Sequence, residues 1–193
     1  MRTSEITRKT KETDITLKLC LDGGEVKIDT GIGFFDHMLN SFATHGGFGL
    51  EISAKGDLEV DGHHTVEDVG IVLGKAFNEA LGDKGSIERF GSFYVPMDEA
   101  LAFASVDVSG RPFLVFDAEF PQAVCGDYDC SLTVEFMRAL AYNAQITLHI
   151  KSVYGDNSHH ITEAVFKAAA HALKAAVAQN NSGRKPLSTK GVL

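Results

Sequence analysis

One short pattern occurs twice in this chain of 193 residues: His63-His64-Thr65-Val66-Glu67 and His159-His160-Ile161-Thr162-Glu163 each set two adjacent histidines ahead of a glutamate. Two stretches carrying the same chemical pattern need similar local frames, so the chain reads as two related halves sharing one core. The apolar runs Val66-Val69-Val72-Leu73-Phe77 and Ile161-Val165-Phe166-Ala169-Leu173 follow helical spacing, which places each motif at a helix start. With side chains about 100° apart, His63 and Glu67 share a face, as do His159 and Glu163. His64 and His160 point roughly a quarter-turn away, so each copy offers ligands to two metal ions. A pair of solvated histidine steps is the alternative, and duplication with the carboxylate retained argues against it. Asp68 stands four residues after His64, but its counterpart is Ala164, so it is not required as a ligand.

The surrounding sequence repeats as well. Ser4 to Arg8 and Asp14 to Leu21 alternate as strands, Asp22-Gly23-Gly24 marks a turn, and Phe34 to Phe42 has helical spacing closed by Gly46-Gly47. Alternation returns from Phe48 to Leu58, before the first His-His helix, which ends near Gly82. In the second half Gly91–Pro96, Leu101–Val108 and Pro112–Phe120 read as strands, and Leu132–Asn143 as a helix. Ile146–Ile150 alternates, and the second His-His helix runs to about Ala178. Three strands, helix, strand, helix, twice over, predicts an α+β protein with duplicated β-β-β-α-β-α halves, 1–90 and 91–193, and helices packed between two sheets. Counted back from the His-His motifs, His37 precedes His63 by 26 residues and Glu135 precedes His159 by 24, each early in the first helix of its half, as one further ligand apiece. His45, beside a Gly-Gly turn, reads either as a helix-end cation or as a site residue. His149 falls on the polar side of a strand, and His171 reads as surface or packing.

Other classes are disfavoured. A formal charge of −8 argues against general nucleic-acid binding, and no apolar run is long enough for a membrane span. The N-terminal residues lack a signal peptide's apolar core, so a cytoplasmic location is expected. Cys20, Cys125 and Cys130 are odd in number and suggest no disulfide framework. Any anionic ligand must be caught by a local cluster of arginine and lysine.

The motifs together resemble the imidazoleglycerol-phosphate dehydratase family: Thr10-Lys-Glu-Thr13, Gly33-Phe-Phe-Asp-His-Met-Leu39, His63-His-Thr-Val-Glu-Asp68, Arg89-Phe-Gly91, Gly110-Arg-Pro112, Thr147-Leu-His149, His159-His-Ile-Thr-Glu-Ala164 and Ser188-Thr-Lys-Gly-Val-Leu193. The resemblance implies a lyase of histidine biosynthesis that dehydrates imidazoleglycerol phosphate to imidazoleacetol phosphate. It implies halves like the second domain of ribosomal protein S5, and 24 identical subunits with sites at their interfaces. It further implies two manganese ions per active site, held by His37, His63, His64, Glu67, His159, His160 and Glu163. Glu135 stands where many members carry a histidine ligand, and a carboxylate there suits manganese. Substrate-contacting positions carry over to Glu12, His45, Arg89, Arg111, Lys167 and Thr189-Lys190-Gly191, with the arginines and Lys190 suited to phosphate. The acid/base is expected to be Glu12 or Glu163, with Glu12 favoured because Glu163 is needed as a ligand, while His45 shuttles a proton or holds the substrate hydroxyl. A two-metal phosphoester hydrolase and a protein with purely structural ions are the competing readings.

Overall fold

The computed structural model describes residues 1–180. The first half folds as β1 (Thr3–Lys9), β2 (Thr13–Cys20), β3 (Val26–Asp29), α1 (Gly33–Gly46), β4 (Gly49–Gly56) and α2 (His63–Leu81). The second repeats the order as β5 (Phe90–Met97), β6 (Ala100–Asp107), β7 (Phe113–Asp117), then α3 (Leu132–Ala144), β10 (Thr147–Tyr154) and α4 (Ser158–Val177). Between β7 and α3 the second half adds a small hairpin, β8 (Val124–Cys125) and β9 (Tyr128–Asp129). The expected duplication is therefore present, with one insertion that the alternation pattern was too short to reveal.

Both sheets have one topology. Their orders are β1-β2-β4-β3 and β5-β6-β10-β7, and the last pair in each, β3 with β4 and β7 with β10, is parallel. A parallel pair requires a crossover, and α1 and α3 supply it. In β2 and β6 strict alternation buries every second residue, Ile15, Leu17 and Leu19 in one and Ala102, Ala104 and Val106 in the other. Those inner faces meet the helices, which lie between the sheets as the pattern predicted. One continuous core joins the halves: Phe35, Phe42 and Phe77 belong to it, as do Phe136 and Phe166, which stack with centroids 5.2 Å apart.

The helices pair across the halves. Helix α1 lies on α4 and α2 on α3. Small residues bring α2 and α3 close: a Cβ at Gly74 would stand 2.7 Å from the Leu140 carbonyl oxygen, nearer than side-chain carbons pack. Along the other pair, His37 meets Glu163 and His45 meets His171, so these two helices run in the same direction.

Candidate active site

The two His-His helices start alike. Asp61 and Asn157, each two residues ahead of the first histidine, accept the backbone N–H of His63 (2.8 Å) and His159 (2.9 Å). These short polar side chains satisfy an orphan donor at each helix start and set the first turn that aims the histidines. Within each turn the neighbouring rings stand nearly perpendicular, at 82° for His63 and His64 and 75° for His159 and His160. The two rings of a pair therefore lie in different planes.

Helix pairing builds the tightest cluster. His37 Nε2 from α1 and His159 Nε2 from α4 approach one oxygen of Glu163, at 3.5 and 3.4 Å. Ligand atoms of these three residues all lie within 4.8 Å of one another, an arrangement unique to this trio among the described residues. Glu163 is buried, and its second oxygen receives Lys167 Nζ at 2.6 Å. Burial works against the Glu163 carboxylate, yet Lys167 and the two histidines outweigh it and hold its pKa below the ordinary value. Thus Glu163 is ionised in place, with one oxygen held by Lys167 and the other turned to the histidines.

The mirror position in the first half holds His63 and Glu67 at 3.7 Å. By the same helix pairing Glu135 on α3 would be their third partner. Its carboxylate is instead ion-paired with Arg138, one turn further along α3, and does not close with His63 and Glu67 into a trio.

The second histidines each meet a carboxylate that sequence reasoning missed. His64 Nδ1 lies 3.0 Å from Asp57, at the end of β4, and His160 Nδ1 lies 2.6 Å from Glu99, in the β5–β6 turn. The bond to Asp57 raises the pKa of His64, and the bond from His160 pulls Glu99 down to about 2. Glu12 also faces His64, at 3.9 Å, from the β1–β2 turn. That turn is fastened from below: Thr10 Oγ accepts the N–H groups of Glu12 and Thr13, while Thr13 Oγ and Arg8 both bond to the buried Asp68. Asp68 is thus a strut beneath Glu12 rather than a partner of His64.

His45 is half-buried, and its Nδ1 lies 3.2 Å from Nε2 of His171, whose ring stacks on Phe93 at 4.7 Å. Burial lowers the pKa of both rings, helped at His45 by Lys167 and at His171 by Lys174. His171 thus joins its packing on Phe93 to a polar contact with His45. The arginines gather elsewhere. Arg89 holds Asp107 through two hydrogen bonds of 2.7 and 3.1 Å, and Arg111 lies 3.6 Å from the same carboxylate. The backbone N–H of Arg89 donates to Ala176 near the C-terminal end of α4, roughly 20 Å along the helix axis from Glu163. Thr189, Lys190 and Gly191 lie outside the described residues.

A family model described as imidazoleglycerol-phosphate dehydratase matches residues 30–173. The chain belongs to that family. It is 58% identical to the imidazoleglycerol-phosphate dehydratase of Acetivibrio thermocellus over all of this chain and 99% of the relative, and 57% identical to that of Clostridium kluyveri, with both chains fully covered. Solved structures agree. The Staphylococcus aureus dehydratase superposes with a TM-score of 0.85 at 40% identity, covering 92% of this chain and 99% of that one. The Pyrococcus furiosus dehydratase gives 0.84 at 41%, covering 97% and 100%. Imidazoleglycerol-phosphate dehydratases are hydro-lyases, so the chain is an enzyme of histidine biosynthesis that removes water from a phosphorylated imidazole substrate. None of the helices among the described residues is long and apolar enough to cross a membrane.

Proposed function

We propose that this dehydratase works with two manganese ions per active site and that each site is shared between copies of the chain. The observation that carries the metal reading is the trio His37, His159 and Glu163. Its 3.4 and 3.5 Å separations suit neighbouring ligands on one ion, since bonds of about 2.1 Å at right angles set cis ligands about 3 Å apart. Nitrogen and carboxylate oxygen donors fit manganese. His63 and Glu67 begin the corresponding set, which Glu135 would complete by leaving Arg138, while His64 and His160, turned away from their neighbours, would each serve a different ion from the one their neighbour holds. When bound, the ions would supply positive charge to the substrate's imidazole ring and favour its electron-rich form.

The chain's own groups then move the protons. Glu12, more than half exposed and held by a fastened turn, takes the proton from C2, and that proton and the C3 hydroxyl together make up the water lost. The resulting enol tautomerises to the ketone. His45, whose pKa burial lowers, is suited to hold that hydroxyl, with its Nδ1 turned to His171. Lys167 holds Glu163 ionised. Arg89 and Arg111 serve the phosphate, and the roughly 20 Å along α4 between the backbone contact of Arg89 and Glu163 supports their doing so for a site other than the one formed by Glu163 of the same chain. Such sites would be shared between subunits. The outer face of the second sheet, where Phe90, Tyr94, Phe113 and Val115 are exposed, offers apolar surface for a homo-oligomer, for which 24 subunits is the proposed size.

The test is turnover of imidazoleglycerol phosphate by metal-stripped protein, titrated separately with manganese and zinc. Activity that returns at two manganese ions per chain is the expected result. Full activity without any added metal would overturn the metal reading, and release of inorganic phosphate in place of dehydration would favour a hydrolase.

A further inference from the structure

The repeat places Glu12 and Glu99 at equivalent positions. Each closes a hairpin turn and immediately precedes the second strand of its sheet, β2 or β6, and each turns toward the second histidine of its own half. They differ in what engages them. Both oxygens of Glu99 are used: one accepts the backbone N–H groups of Asp156 (3.1 Å) and Asn157 (2.9 Å), the other meets His160 Nδ1. Glu12 has no hydrogen bond to its carboxylate among the described residues, and its 3.9 Å approach to His64 is too long for one. In that half Asp57 already occupies Nδ1, with both oxygens within 3.2 Å. No acidic residue in β10 or the turn after it takes the corresponding place beside His160.

We infer that Glu99 and Asp57 are positioning residues that fix the ring tautomers of His160 and His64, and that Asp57, by doing so, releases Glu12 from the role its repeat partner performs. A carboxylate has no proton to give, so each ring when neutral carries its proton on Nδ1 and leaves Nε2 unprotonated; at His160 that nitrogen faces the exposed Asp98 at 3.6 Å, too far for a hydrogen bond. In the second half the hairpin glutamate does the orienting and is bound at both oxygens. In the first half an added aspartate does it, and the hairpin glutamate is left able to accept a proton.

The inference rests on the two-metal reading, and its test separates the two. Metal-free full-length protein is titrated with manganese and the unbound ion is followed by its paramagnetic resonance signal. The unsubstituted chain is expected to bind two ions. Glu99→Gln should weaken one of them by about tenfold or more. Its amide oxygen stays with the N–H groups of Asp156 and Asn157, which turns the NH2 toward Nδ1 and moves the ring proton to Nε2, where it blocks the ligating lone pair. Glu99→Ala, which supplies no donor, should weaken binding less than Glu99→Gln. A purely structural role predicts the reverse order, because Gln still accepts from Asp156 and Asn157 whereas Ala cannot. Among the described residues both oxygens of Asp57 face His64 alone, so Asp57→Asn can still turn its oxygen to Nδ1 and should bind nearly as the parent does, whereas Asp57→Leu should weaken one ion. If the unsubstituted chain binds no manganese, the metal reading falls and this inference with it. If it binds two ions and Glu99→Gln or Asp57→Leu matches it, or Glu99→Ala is the more damaging change at its position, only the inference is overturned.

Discussion

Helix α1 carries His37 and His45, yet its N-cap residue, Ile32, has no side-chain oxygen to satisfy the helix's first N–H groups. Asp127, from the inserted hairpin, does this from the other half of the chain, accepting Gly33 N at 2.8 Å and Phe34 N at 3.2 Å. Asp127→Ala leaves both donors to water. Losing a cap costs roughly 0.5–2 kcal/mol, and losing a negative charge at a helix start adds a few tenths. Because Asp127 is exposed, the lower part of that range applies, about 1 kcal/mol, or about 2–4 °C in Tm for a chain of this size. Asp127→Asn keeps an acceptor and should lose about half as much. Urea unfolding at one fixed protein concentration measures both. The pH dependence gives an independent check. Burial pushes the Asp127 carboxyl up, but the two N–H donors prevail and hold its pKa below the ordinary 3.8. A carboxyl depressed in the folded state contributes stability that is complete above its unfolded pKa and lost as pH falls through the folded one. The gap between parent and Asp127→Ala should therefore be constant above about pH 5 and shrink below pH 4. A gap under about 0.3 kcal/mol at neutral pH, or one that persists at pH 2, would refute the capping role.

On the proposal that Glu12 moves a proton and holds no ion, Glu12→Gln should lower kcat by about a hundredfold or more while manganese stoichiometry stays at the parental value. Loss of metal in that variant would show that Glu12 is a ligand. Mixed oligomers of Arg111→Ala and His159→Ala chains should recover activity that neither variant has alone, because some shared sites then receive both intact parts; mixtures as inactive as the separate variants would place the site within one chain. The lowered pKa values of His45 and His171 mean that the unfolded chain takes up protons first as pH falls. Their contribution to stability should be level above about pH 6.5 and decline below it, and His171→Phe, which keeps a ring against Phe93, should flatten that decline relative to the parent. Glu135→Ala should weaken one of two manganese ions if Glu135 leaves Arg138 to ligate, and unchanged calorimetric titrations would keep it an ordinary surface residue.

Much of the fold was legible because its signals are local. Helical spacing located α2 and α4, alternation located β2 and β6, and the repeated His-His-x-x-Glu motif gave the duplication. The hairpin at β8–β9 escaped because strands of two residues carry no period. His63 with Glu67 and His159 with Glu163 could be paired from helix geometry alone, whereas the joining of His37 to the second pair depends on α1 crossing to α4, a tertiary fact. Asp57 and Glu99 went unseen for a related reason. They reach their histidines from a strand end and a turn, and the turns lie at a different offset between the halves than the His-His motifs do, so an ungapped alignment never set Glu12 beside Glu99.

The exchange of helices between the halves has an ancestral consequence. The trio takes His37 from one half and His159 and Glu163 from the other, so a single half standing alone could not assemble it. A lone ancestor of half this length would have needed to meet a second copy, and its chemistry would have faded on dilution. Joining two copies end to end replaces that encounter with a local concentration on the order of millimolar, whatever the amount of protein. Tethered copies need not remain identical to recognise each other, and Glu12 and Glu99, at equivalent turns, are engaged differently.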